Sequence, residues 1–469
     1  FHSYCFDLLG KIGTLEGSNN VVKDAAEMIR NGEVEQGKIT KSVLVIDEAQ
    51  DMDEHEFALV QALMTTNDDM RVIAVGDDDQ NIYEFRGSNS KYLKKLIEEY
   101  AGNLYEMTEN YRSSIGIVSL ANTFAQTITE RMKSTPIEAV SKEVGSVTIT
   151  HHASPSMEEA IVKQLISSDQ NGKTCVLTYT NDEALRIMGL LLKHGKRAKL
   201  IQSLDGFNLF NLLEIRAFLK TIDMNLHSPM ISDEIWNNAK KELFTRYGES
   251  SCIDNIRRLI IDFETTHSTK YRTDFEEFLN ESRFEDFYDE KERDTIYVST
   301  IHKSKGREFD NVYIMLKNMN AVSNEEKRAL YVGITRAKNK LSIHTNTTLF
   351  DKYNLDGIEH LYDGESYSEP TEIMLQTTHK DVVLDYFKNK KEIIFNLRSG
   401  KELKVDDVYL TAELNGRDVR VAKFSKSFVE KLQNLKQKGY STVVGNVRFI
   451  VAWKGDEDEE ETPVLLTDI

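Results

Sequence analysis

The stretch Val43-Leu44-Val45-Ile46-Asp47-Glu48-Ala49-Gln50-Asp51 joins a short apolar run to a cluster of acidic side chains. The apolar run predicts a buried parallel strand, because strands covered on both faces are continuously apolar. Two carboxylates directly after such a strand are typical of nucleotide hydrolases, where the first holds magnesium and the second orients the attacking water. Acidic residues at this position can equally cap the next helix. This stretch alone therefore leaves both interpretations open.

Short apolar runs alternate with helical patterns along the chain, which predicts an α/β protein with two parallel sheets. The first sheet is predicted from residues 41–46 and 71–75, with a helix over 54–64 between them. Strands of the second sheet are predicted at 174–180, 295–301, 311–316 and 340–344. Residues 221–292 are charged, rich in aromatic residues and helix-like, which favours a small helical insertion.

The last part of the chain changes character and predicts a separate α+β appendage. Residues 392–397, 408–414 and 419–424 have strand patterns. Asn415-Gly416 lies between the last two, and Asn-Gly is a strong hairpin signal. Apolar residues then recur on one face of a helix that Gly439 would end.

The composition bounds the class of protein. A chain of 469 residues exceeds the usual size of one domain, so three or four folding units are expected. The net charge of −18 argues against a surface that is basic throughout, although a local basic channel stays compatible with it. Three scattered cysteines favour a reducing compartment, and the cytoplasm is the expected location. No apolar run approaches the roughly twenty residues that cross a bilayer.

A second polar motif, Gly76-Asp77-Asp78-Asp79-Gln80, follows the next predicted strand. Both motifs therefore lie at the carboxyl edge of the sheet, where α/β proteins bind ligands. The Gln80 amide can donate to a phosphate oxygen while it accepts from a water molecule. Tyr83 and Phe85 could stack an unpaired base, worth about 1–3 kcal/mol each. For either aromatic residue alone, core packing is the favoured explanation.

Three more motifs follow in order along the chain. They are Asn110-Tyr111-Arg112-Ser113, Val298-Ser299-Thr300-Ile301-His302-Lys303-Ser304-Lys305-Gly306-Arg307-Glu308-Phe309 and Arg328-Ala329-Leu330-Tyr331-Val332-Gly333-Ile334-Thr335-Arg336-Ala337. Together the five motifs resemble motifs II to VI of the UvrD/Rep/PcrA family of superfamily 1 DNA helicases, from Phe1 to about His344. The resemblance implies two RecA-like parallel-sheet domains, ATP and Mg²⁺ as cofactors, and ATP-driven movement from 3′ to 5′. It implies single-stranded DNA, or DNA with a 3′ single-stranded tail, as the partner.

The resemblance also implies roles for residues of the nucleotide site. Asp47 would hold Mg²⁺, and Glu48 would orient the hydrolytic water. Gln80 would sense the γ-phosphate, which Arg112 and Arg336 would contact. An arginine that neutralises charge in the transition state is worth about 10³ to 10⁵ in rate.

Further implied roles concern the base, the sugar and the DNA. Tyr111 would stack on adenine, and Glu308 would meet the ribose hydroxyl. Phe85 stands where the family usually has a tryptophan that stacks on a DNA base. The residues that would touch DNA or couple it to the nucleotide are Tyr83, Phe85, Arg86, Thr300 and His302.

The family pattern includes a phosphate-binding loop, Gly-x-x-x-x-Gly-Lys-Ser/Thr. This loop sequence is not found in residues 1–469. Residues 32–40 have its glycine and lysine spacing, but Ile39 stands where Ser or Thr should bind magnesium. Phe1-His2-Ser3 resembles motif Ib, which follows the loop in the family. The expectation is a first domain that lacks its amino-terminal segment and a chain that is inactive by itself.

These inferences predict a modular chain. The predicted parts are a truncated RecA-like domain 1A with minimal 1B (1–110), the first part of domain 2A (111–220), a reduced 2B-like helical insertion (221–292), the second part of domain 2A (293–350), a linker (351–384) and the appendage (385–469). A protein partner for the appendage is a further expectation. The alternative to a motor is a catalytically inactive helicase-like scaffold that binds DNA or a partner.

Overall fold

The computed structural model describes residues 1–9, 18–168, 171–201, 207–225, 230–287, 295–406, 408–442, 444–454 and 460–469. The chain forms two compact units. The first unit comprises Phe1–Ile201 and Arg293–Pro370, and the second comprises Gln202–Glu292 and Thr371–Ile469. None of the described helices combines the length and the apolar content that a bilayer span requires.

The described secondary structure alternates between helices and strands. The helices are α1 His2–Leu9, α2 Ser18–Asn31, α3 Gln36–Ile39, α4 Glu54–Thr66, α5 Lys91–Glu98, α6 Ile115–Ala125, α7 Glu158–Ser167, α8 Asn181–Lys193, α9 Leu213–Asn225, α10 Asp233–Tyr247, α11 Ile253–Thr266, α12 Arg272–Glu281, α13 Asn324–Ile334, α14 Leu384–Lys388, α15 Lys391–Phe395 and α16 Lys426–Gln437. The strands are β1 Val43–Ile46, β2 Arg71–Ala74, β3 Glu109–Asn110, β4 Glu138–Ala139, β5 Ser146–His152, β6 Thr174–Thr178, β7 Ala198–Leu200, β8 Met230–Ile231, β9 Lys270–Tyr271, β10 Ile296–Thr300, β11 Phe309–Leu316, β12 Ala337–Thr345, β13 Ile358–Asp363, β14 Glu402–Val405, β15 Tyr409–Leu414, β16 Arg417–Lys423, β17 Gly445–Trp453 and β18 Thr462–Asp468.

The first sheet consists of β1 and β2, which pair in parallel with Val43 opposite Arg71. Between them, α4 begins with a capping box in which Asp53 and Glu56 satisfy each other's backbone N–H groups. Both strands and the helix were predicted from the sequence, and all three are confirmed. The predicted burial of β1 is wrong, because Val43 and Val45 are 50% and 63% exposed. Because β1 and β2 run parallel, their carboxyl ends meet at one edge of the sheet.

The second sheet has seven parallel strands in the order β13-β5-β12-β11-β6-β10-β7. The four predicted strands are β6, β10, β11 and β12 in its centre, and the α/β class with parallel sheets is confirmed. The sequence did not predict β5, β7 and β13. Strand β13 lies within residues 351–384, which were predicted to be a linker. Its alternating, half-exposed residues at the edge of the sheet lack the continuous apolar run of a central strand.

The second unit corrects the prediction of a separate insertion and appendage. Helices α10 to α12 confirm the helical character of 221–292, yet their core is shared with the C-terminal sheet β16-β15-β14-β17-β18. Trp236 and Phe263 from the helices belong to the same apolar cluster as Phe428 and Leu465 from the C-terminal part. The two segments fold together because each has an apolar face that the other covers.

Local predictions in the C-terminal part had mixed outcomes. The turn Asn415-Gly416 joins β15 to β16 with positive φ at both residues, as a tight hairpin requires. Helix α16 buries Phe428 and Leu432, so both of these predictions are confirmed. The strand predicted at 392–397 is wrong, because this segment forms helix α15. Short apolar runs such as this one do not distinguish a strand from a buried helical turn.

Candidate nucleotide and nucleic-acid site

Acidic side chains follow both strands of the first sheet in the first unit. Asp47 and Glu48 come directly after β1, and the Glu48 N–H donates to Asp47 Oδ1 at 2.9 Å. Glu48 lies in the left-handed backbone region with φ of +50°, which is uncommon for a residue with a side chain. Both carboxylates are exposed. The turn thus presents two acidic groups to solvent at the strand edge.

The buried side chain of Gln50 connects the two acidic motifs. Its Nε2 donates to Glu48 Oε2 at 2.6 Å, and its Oε1 accepts from the Asp77 N–H at 3.0 Å. A Cβ in place of Gly76 would lie 2.4 Å from Gln50 Oε1, so a side chain here would displace the Gln50 amide from its present position. Gln50 therefore fixes the orientation of the Glu48 carboxylate.

Lys305, which follows β10 of the second sheet, reaches the same edge. Its Nζ donates to Asp51 Oδ2 at 2.5 Å and to the Gln80 carbonyl at 2.9 Å, and it lies 3.7 Å from Glu48 Oε2. Burial raises the pKa of Asp51, and the Lys305 ammonium opposes that rise. Lys305 lies within the motif at residues 298–309, but no role was predicted for it. The sequence signal that could have identified Lys305 is its position between His302 and Glu308, for which roles were predicted.

Gln80 and Arg336 are in direct contact. Arg336 Nη2 donates to Gln80 Oε1 at 2.9 Å, while Gln80 Nε2 donates to Asp77 Oδ2 at 2.8 Å. The guanidinium of Arg336 is 2% exposed and also donates to the carbonyls of Arg307 and Val332, at 3.1 and 3.0 Å. Burial, with a smaller contribution from Arg112, lowers the pKa of Arg336 to about 10. Arg336 remains a cation at neutral pH.

Arg112 is held by a different acidic residue. Its Nε donates to Glu308 Oε2 at 2.7 Å, and Lys338 is also paired with Glu308. These contacts lower the pKa of Glu308, with the Lys338 hydrogen bond as the largest cause. Within the described part of the chain, no hydrogen bond or ion pair joins Arg112 to Asp47 or Glu48. The structure thus brings Arg336, but not Arg112, into contact with the first sheet's polar edge.

Tyr111 is 75% exposed, and its hydroxyl donates to the Glu109 carboxylate. That hydrogen bond is the largest cause of the raised pKa of Tyr111. The ring is therefore available to solvent, as a platform for a planar ligand would have to be.

A second connection between the two sheets was not predicted. Asp79 is fully buried, and Arg131 donates to both of its oxygens, from Nε at 2.8 Å and from Nη2 at 2.7 Å. Lys133 lies 2.6 Å from Asp77 Oδ1 and 3.5 Å from Asp79 Oδ2, and the Met132 N–H donates to Asp78 at 2.6 Å. The three aspartates are close enough to hold a metal ion, but these donors already occupy them. The only sequence signal was the pair of cations at 131 and 133.

Arg131→Met is expected to lower the free energy of unfolding of the first unit by about 3 kcal/mol, because it removes both hydrogen bonds of Arg131 to the buried Asp79 carboxylate and leaves Lys133, at 3.5 Å, as its cationic partner. Urea unfolding would measure the change. Arg257→Met removes an exposed ion pair with Asp254 and should cost less than about 1 kcal/mol. Adding Asp79→Asn to Arg131→Met should restore part of the loss, whereas equal effects of Arg131→Met and Arg257→Met would contradict the importance of this pair.

Aromatic side chains form an exposed cluster beside the acidic edge. Phe85 is 62% exposed, and the Arg86 guanidinium lies 5.4 Å from the centres of both the Tyr83 and the Phe85 rings. The rings of Phe85 and His302 meet edge to face at 6.2 Å, and the Tyr83 hydroxyl donates to the His302 carbonyl at 3.3 Å. Burial, and then Arg86, lower the pKa of His302, which is therefore neutral at physiological pH. Thr300 is buried at the end of β10.

Polar residues at the carboxyl edge of the first sheet, a buried arginine that contacts them from the second sheet's part of the chain, and exposed aromatic rings beside them define an α/β protein with a ligand-binding edge. The family model of the UvrD/REP helicase N-terminal domain matches residues 19–101, and that of the UvrD-like helicase C-terminal domain matches residues 105–229 and 225–348. The second model covers more than half of the chain. The chain therefore belongs to the UvrD-like helicase family.

Individual relatives agree with this family. The Gabija protein GajB of Bacillus cereus (strain VD045) is 25% identical over 329 residues, which are 66% of this chain and 65% of that protein. The ATP-dependent DNA helicase Rep of Buchnera aphidicola subsp. Acyrthosiphon pisum (strain APS) is 24% identical over 408 residues, covering 64% and 62%. The putative ATP-dependent DNA helicase YjcD of Bacillus subtilis (strain 168) is 32% identical over 143 residues, covering 30% and 18%. The chain thus spans less than two thirds of the length of each of these relatives.

Proposed function

We propose that this chain is the motor of an ATP-dependent DNA helicase that moves from 3′ to 5′ along single-stranded DNA. The observation that supports the proposal most is the contact between Gln80 and Arg336, which belong to different sheets. Through Asp77, this contact reaches the acidic edge of the first sheet. A charge that arrives between the sheets would compete for Arg336 and Gln80, and would thereby change how one sheet packs on the other.

The polar residues suit the chemistry of ATP and Mg²⁺. Exposed carboxylate oxygens at Asp47 and Glu48 are the hard ligands that Mg²⁺ prefers. The guanidiniums of Arg112 and Arg336 suit phosphate oxygens. Bound ATP would supply the phosphoanhydride bond whose hydrolysis drives movement. The loop sequence that cradles phosphate in nucleotidases is not found in residues 1–469, so no residue is assigned to that task.

Each polar residue of the nucleotide site is assigned one role in ATP hydrolysis that its contacts favour. Asp47 holds the metal, and Glu48, oriented by Gln50, accepts a proton from the attacking water. Gln80 and Arg336 respond to the γ-phosphate, and Arg112 adds a second positive charge.

The base and the sugar are assigned to Tyr111, which follows β3, and to Glu308, which precedes β11. Tyr111 offers its exposed ring to adenine, and Glu308 accepts from the ribose hydroxyl after it exchanges its contact with Arg112. Release of Arg112 from Glu308 on nucleotide binding would free this arginine for phosphate.

The aromatic cluster is proposed to hold the DNA. Phe85 stacks on a base, and Arg86 contacts the neighbouring phosphate. Tyr83 couples this cluster to the acidic edge, because its hydroxyl bonds the His302 carbonyl and the Lys305 ammonium lies 5.1 Å from its ring. Thr300 and His302 carry this coupling into the second sheet. A shift of one sheet against the other would then move the stacked base.

Phe85→Ala is expected to weaken binding of single-stranded DNA by roughly 5- to 150-fold, which corresponds to the loss of about 1–3 kcal/mol of stacking. Fluorescence anisotropy with a labelled oligonucleotide and residues 1–469 measures the affinity without any need for hydrolysis. Phe85→Trp should retain or improve binding, because a larger ring stacks at least as well.

The matched control is Tyr105→Ala, which removes an 84% exposed aromatic ring from another part of the first unit. Its affinity for the oligonucleotide should equal that of the unchanged protein. Unaltered binding after Phe85→Ala would remove Phe85 from the DNA site and would weaken the motor proposal with it.

The second candidate is a catalytically inactive helicase-like scaffold, in which the contact between Gln80 and Arg336 would only hold the two sheets together. A scaffold would bind DNA through Phe85, or a protein through the C-terminal part, without hydrolysis. Joining a family segment that carries the loop ahead of Phe1 distinguishes the two. DNA-stimulated ATP hydrolysis by the joined protein supports the motor, and its absence in a folded joined protein supports the scaffold.

A further inference from the structure

One acidic residue lies within the aromatic cluster. Glu84 stands between Tyr83 and Phe85 in the sequence, and its side chain is 37% exposed. The proposed function places a DNA base on Phe85 and a phosphate beside Arg86. Charges of the same sign repel each other more strongly near a protein surface than in water. A carboxylate without a partner at Glu84 would therefore oppose the binding of DNA to this cluster.

A short 3₁₀ turn, Glu84–Arg86, carries the exposed side chains of the cluster. The Tyr83 carbonyl accepts from the Arg86 N–H at 2.8 Å, and this hydrogen bond closes the turn. Short 3₁₀ segments have poorer hydrogen-bond geometry than α-helices. Contacts from outside the turn must therefore help to fix the direction in which Phe85 points.

Contacts from both sheets hold this turn. On the side of the first sheet, the buried Asn81 side chain accepts from the Tyr83 N–H at 3.3 Å. On the side of the second sheet, the Tyr83 hydroxyl donates to the His302 carbonyl. Arg328 of α13 comes from the same side, and its Nη1 donates to the Glu84 carboxylate. The position of the turn thus depends on an ion pair between the two sheets' parts of the chain.

Arg328 is buried, and Glu84 is its counter-ion. The arginine is 6% exposed, and within the described part of the chain its Nε has no hydrogen-bond partner. Among the residues that the structure describes, Glu84 is the one carboxylate within ion-pair distance of Arg328. Removing one member of a buried ion pair is costly, because it leaves the other charge uncompensated. Arg328 therefore keeps the Glu84 carboxylate against α13 and neutralises its charge.

The same helix leads to the contact at the nucleotide edge. Arg336 lies just after the end of α13 and donates to Gln80 Oε1 at 2.9 Å. Arg328 lies in the first half of α13 and donates to Glu84. Because one helix joins the two arginines, a displacement of α13 would change both contacts together.

We propose that Arg328 is a positioning residue for DNA, which neutralises Glu84 and holds the turn that presents Phe85. The choice of DNA as the ligand rests on the proposed function. A displacement of α13 from the first sheet would separate Arg328 from Glu84, and the freed carboxylate would then repel the DNA phosphates. The pair thereby makes the affinity for DNA depend on how the two sheets pack against each other.

Arg328→Met in the full chain tests the proposal, because it keeps an unbranched side chain but removes the counter-ion of Glu84. Affinity for a labelled single-stranded oligonucleotide, measured by anisotropy, is expected to fall about 5- to 10-fold at about 0.1 M salt, the effect of one like-charge contact. The ratio of its affinity to that of the unchanged chain should approach one as salt is added, because salt screens the repulsion. A ratio that does not change with salt would contradict the neutralisation of Glu84.

Further variants separate charge from packing. Arg328→Lys keeps a cation next to Glu84 and should retain most of the affinity for DNA. Adding Glu84→Gln to Arg328→Met removes the unpaired carboxylate and should restore the affinity. Glu84→Gln alone should bind DNA at least as tightly as the unchanged chain, although its urea midpoint should fall because the buried guanidinium loses its counter-ion. A pair with a structural role only would make affinity and urea midpoint fall together in every variant.

The matched control is Arg131→Met, which removes the cation from another ion pair between the two sheets, that with the buried Asp79. It should lower the urea midpoint but leave the affinity for DNA and its dependence on salt unchanged. If Arg328→Met behaves like this control, or if Glu84→Gln does not restore its affinity, the proposal is overturned.

The effect of Phe85→Ala separates this inference from the proposed function. A loss of DNA binding with Phe85→Ala, without a loss with Arg328→Met, would overturn the role of Arg328 and leave the motor proposal in place. The opposite result would retain Arg328 and Glu84 as neighbours of the DNA and remove Phe85 as the stacking residue. Losses with both variants, of which only the loss with Arg328→Met is restored by Glu84→Gln, would support both proposals.

Discussion

Glu48→Gln is expected to lower the rate of DNA-stimulated ATP hydrolysis by about 10² to 10⁴, in a protein where a family segment with a phosphate-binding loop is joined ahead of Phe1. Glutamine keeps the size and the hydrogen-bonding oxygen of the side chain, but its amide does not accept a proton from water. The Gln50 Nε2 that donates to Glu48 Oε2 at 2.6 Å can still donate to the amide oxygen of the variant. The fold and the orientation of the side chain should therefore persist while the chemistry is lost.

The measurement is the steady-state rate of phosphate release at saturating single-stranded DNA. Glu54→Gln is the matched control, because Glu54 is an exposed glutamate in the first turn of α4 with no place in the proposed chemistry. It should hydrolyse ATP at the unchanged rate. Affinity for single-stranded DNA should be the same in both variants, and full hydrolysis by Glu48→Gln would exclude Glu48 as the proton acceptor.

Arg336→Lys is expected to reduce hydrolysis by about 10³ to 10⁵, the range that a charge-neutralising arginine contributes in related chemistry. The guanidinium contacts Gln80, the Arg307 carbonyl and the Val332 carbonyl at the same time. A lysine keeps the positive charge, but its single ammonium cannot span these three positions. The loss therefore measures the geometry of the guanidinium and not only its charge.

Because Arg336 is buried, its substitution can also lower the stability of the fold. Two further measurements separate a loss of stability from a loss of catalysis. The urea midpoint of unfolding reports the stability. The affinity for single-stranded DNA, measured by anisotropy, reports whether Phe85 still binds DNA. Arg257→Lys, at an exposed ion pair of the second unit, is the control and should leave all three properties unchanged. Hydrolysis by folded Arg336→Lys at the unchanged rate would remove Arg336 from the phosphate site.

The contacts around Gln80 suggest how the two sheets are coupled. Lys133 holds Asp77, Asp77 accepts from the Gln80 amide, and Gln80 accepts from Arg336, over distances of 2.6, 2.8 and 2.9 Å. The first and last members belong to the second sheet's part of the chain, and the middle two belong to the first. An anion that binds Arg336 in place of Gln80 would break the contact between Arg336 and Gln80. The ion pair between Arg131 and Asp79 would still join the two sheets.

Much of the fold could be predicted from local sequence. Apolar runs identified β1, β2 and the four central strands of the second sheet. The central strands are largely buried on both faces and so have few polar positions, whereas β1 and β2 are partly exposed. Asn415-Gly416 identified its hairpin, because few other residues adopt two successive positive φ angles. The edge strand β13 was not predicted, and the helix α15 was predicted as a strand. In short, half-exposed segments the spacing of apolar residues does not distinguish a strand from a helix.

The amino-acid sequence by itself determined the family, the parallel sheets and the polar residues at their edges, because these depend on short motifs and on local periodicity. Only the tertiary structure decided which of those residues meet. Buried partners such as Lys305 for Asp51 and Arg131 for Asp79 lie far from them in sequence, and the long-range packing that selects them leaves no local pattern. The shared core of the helical insertion and the C-terminal sheet also depends on long-range packing. An apolar face in the sequence indicates that the face is buried, but it does not indicate which segment packs against it.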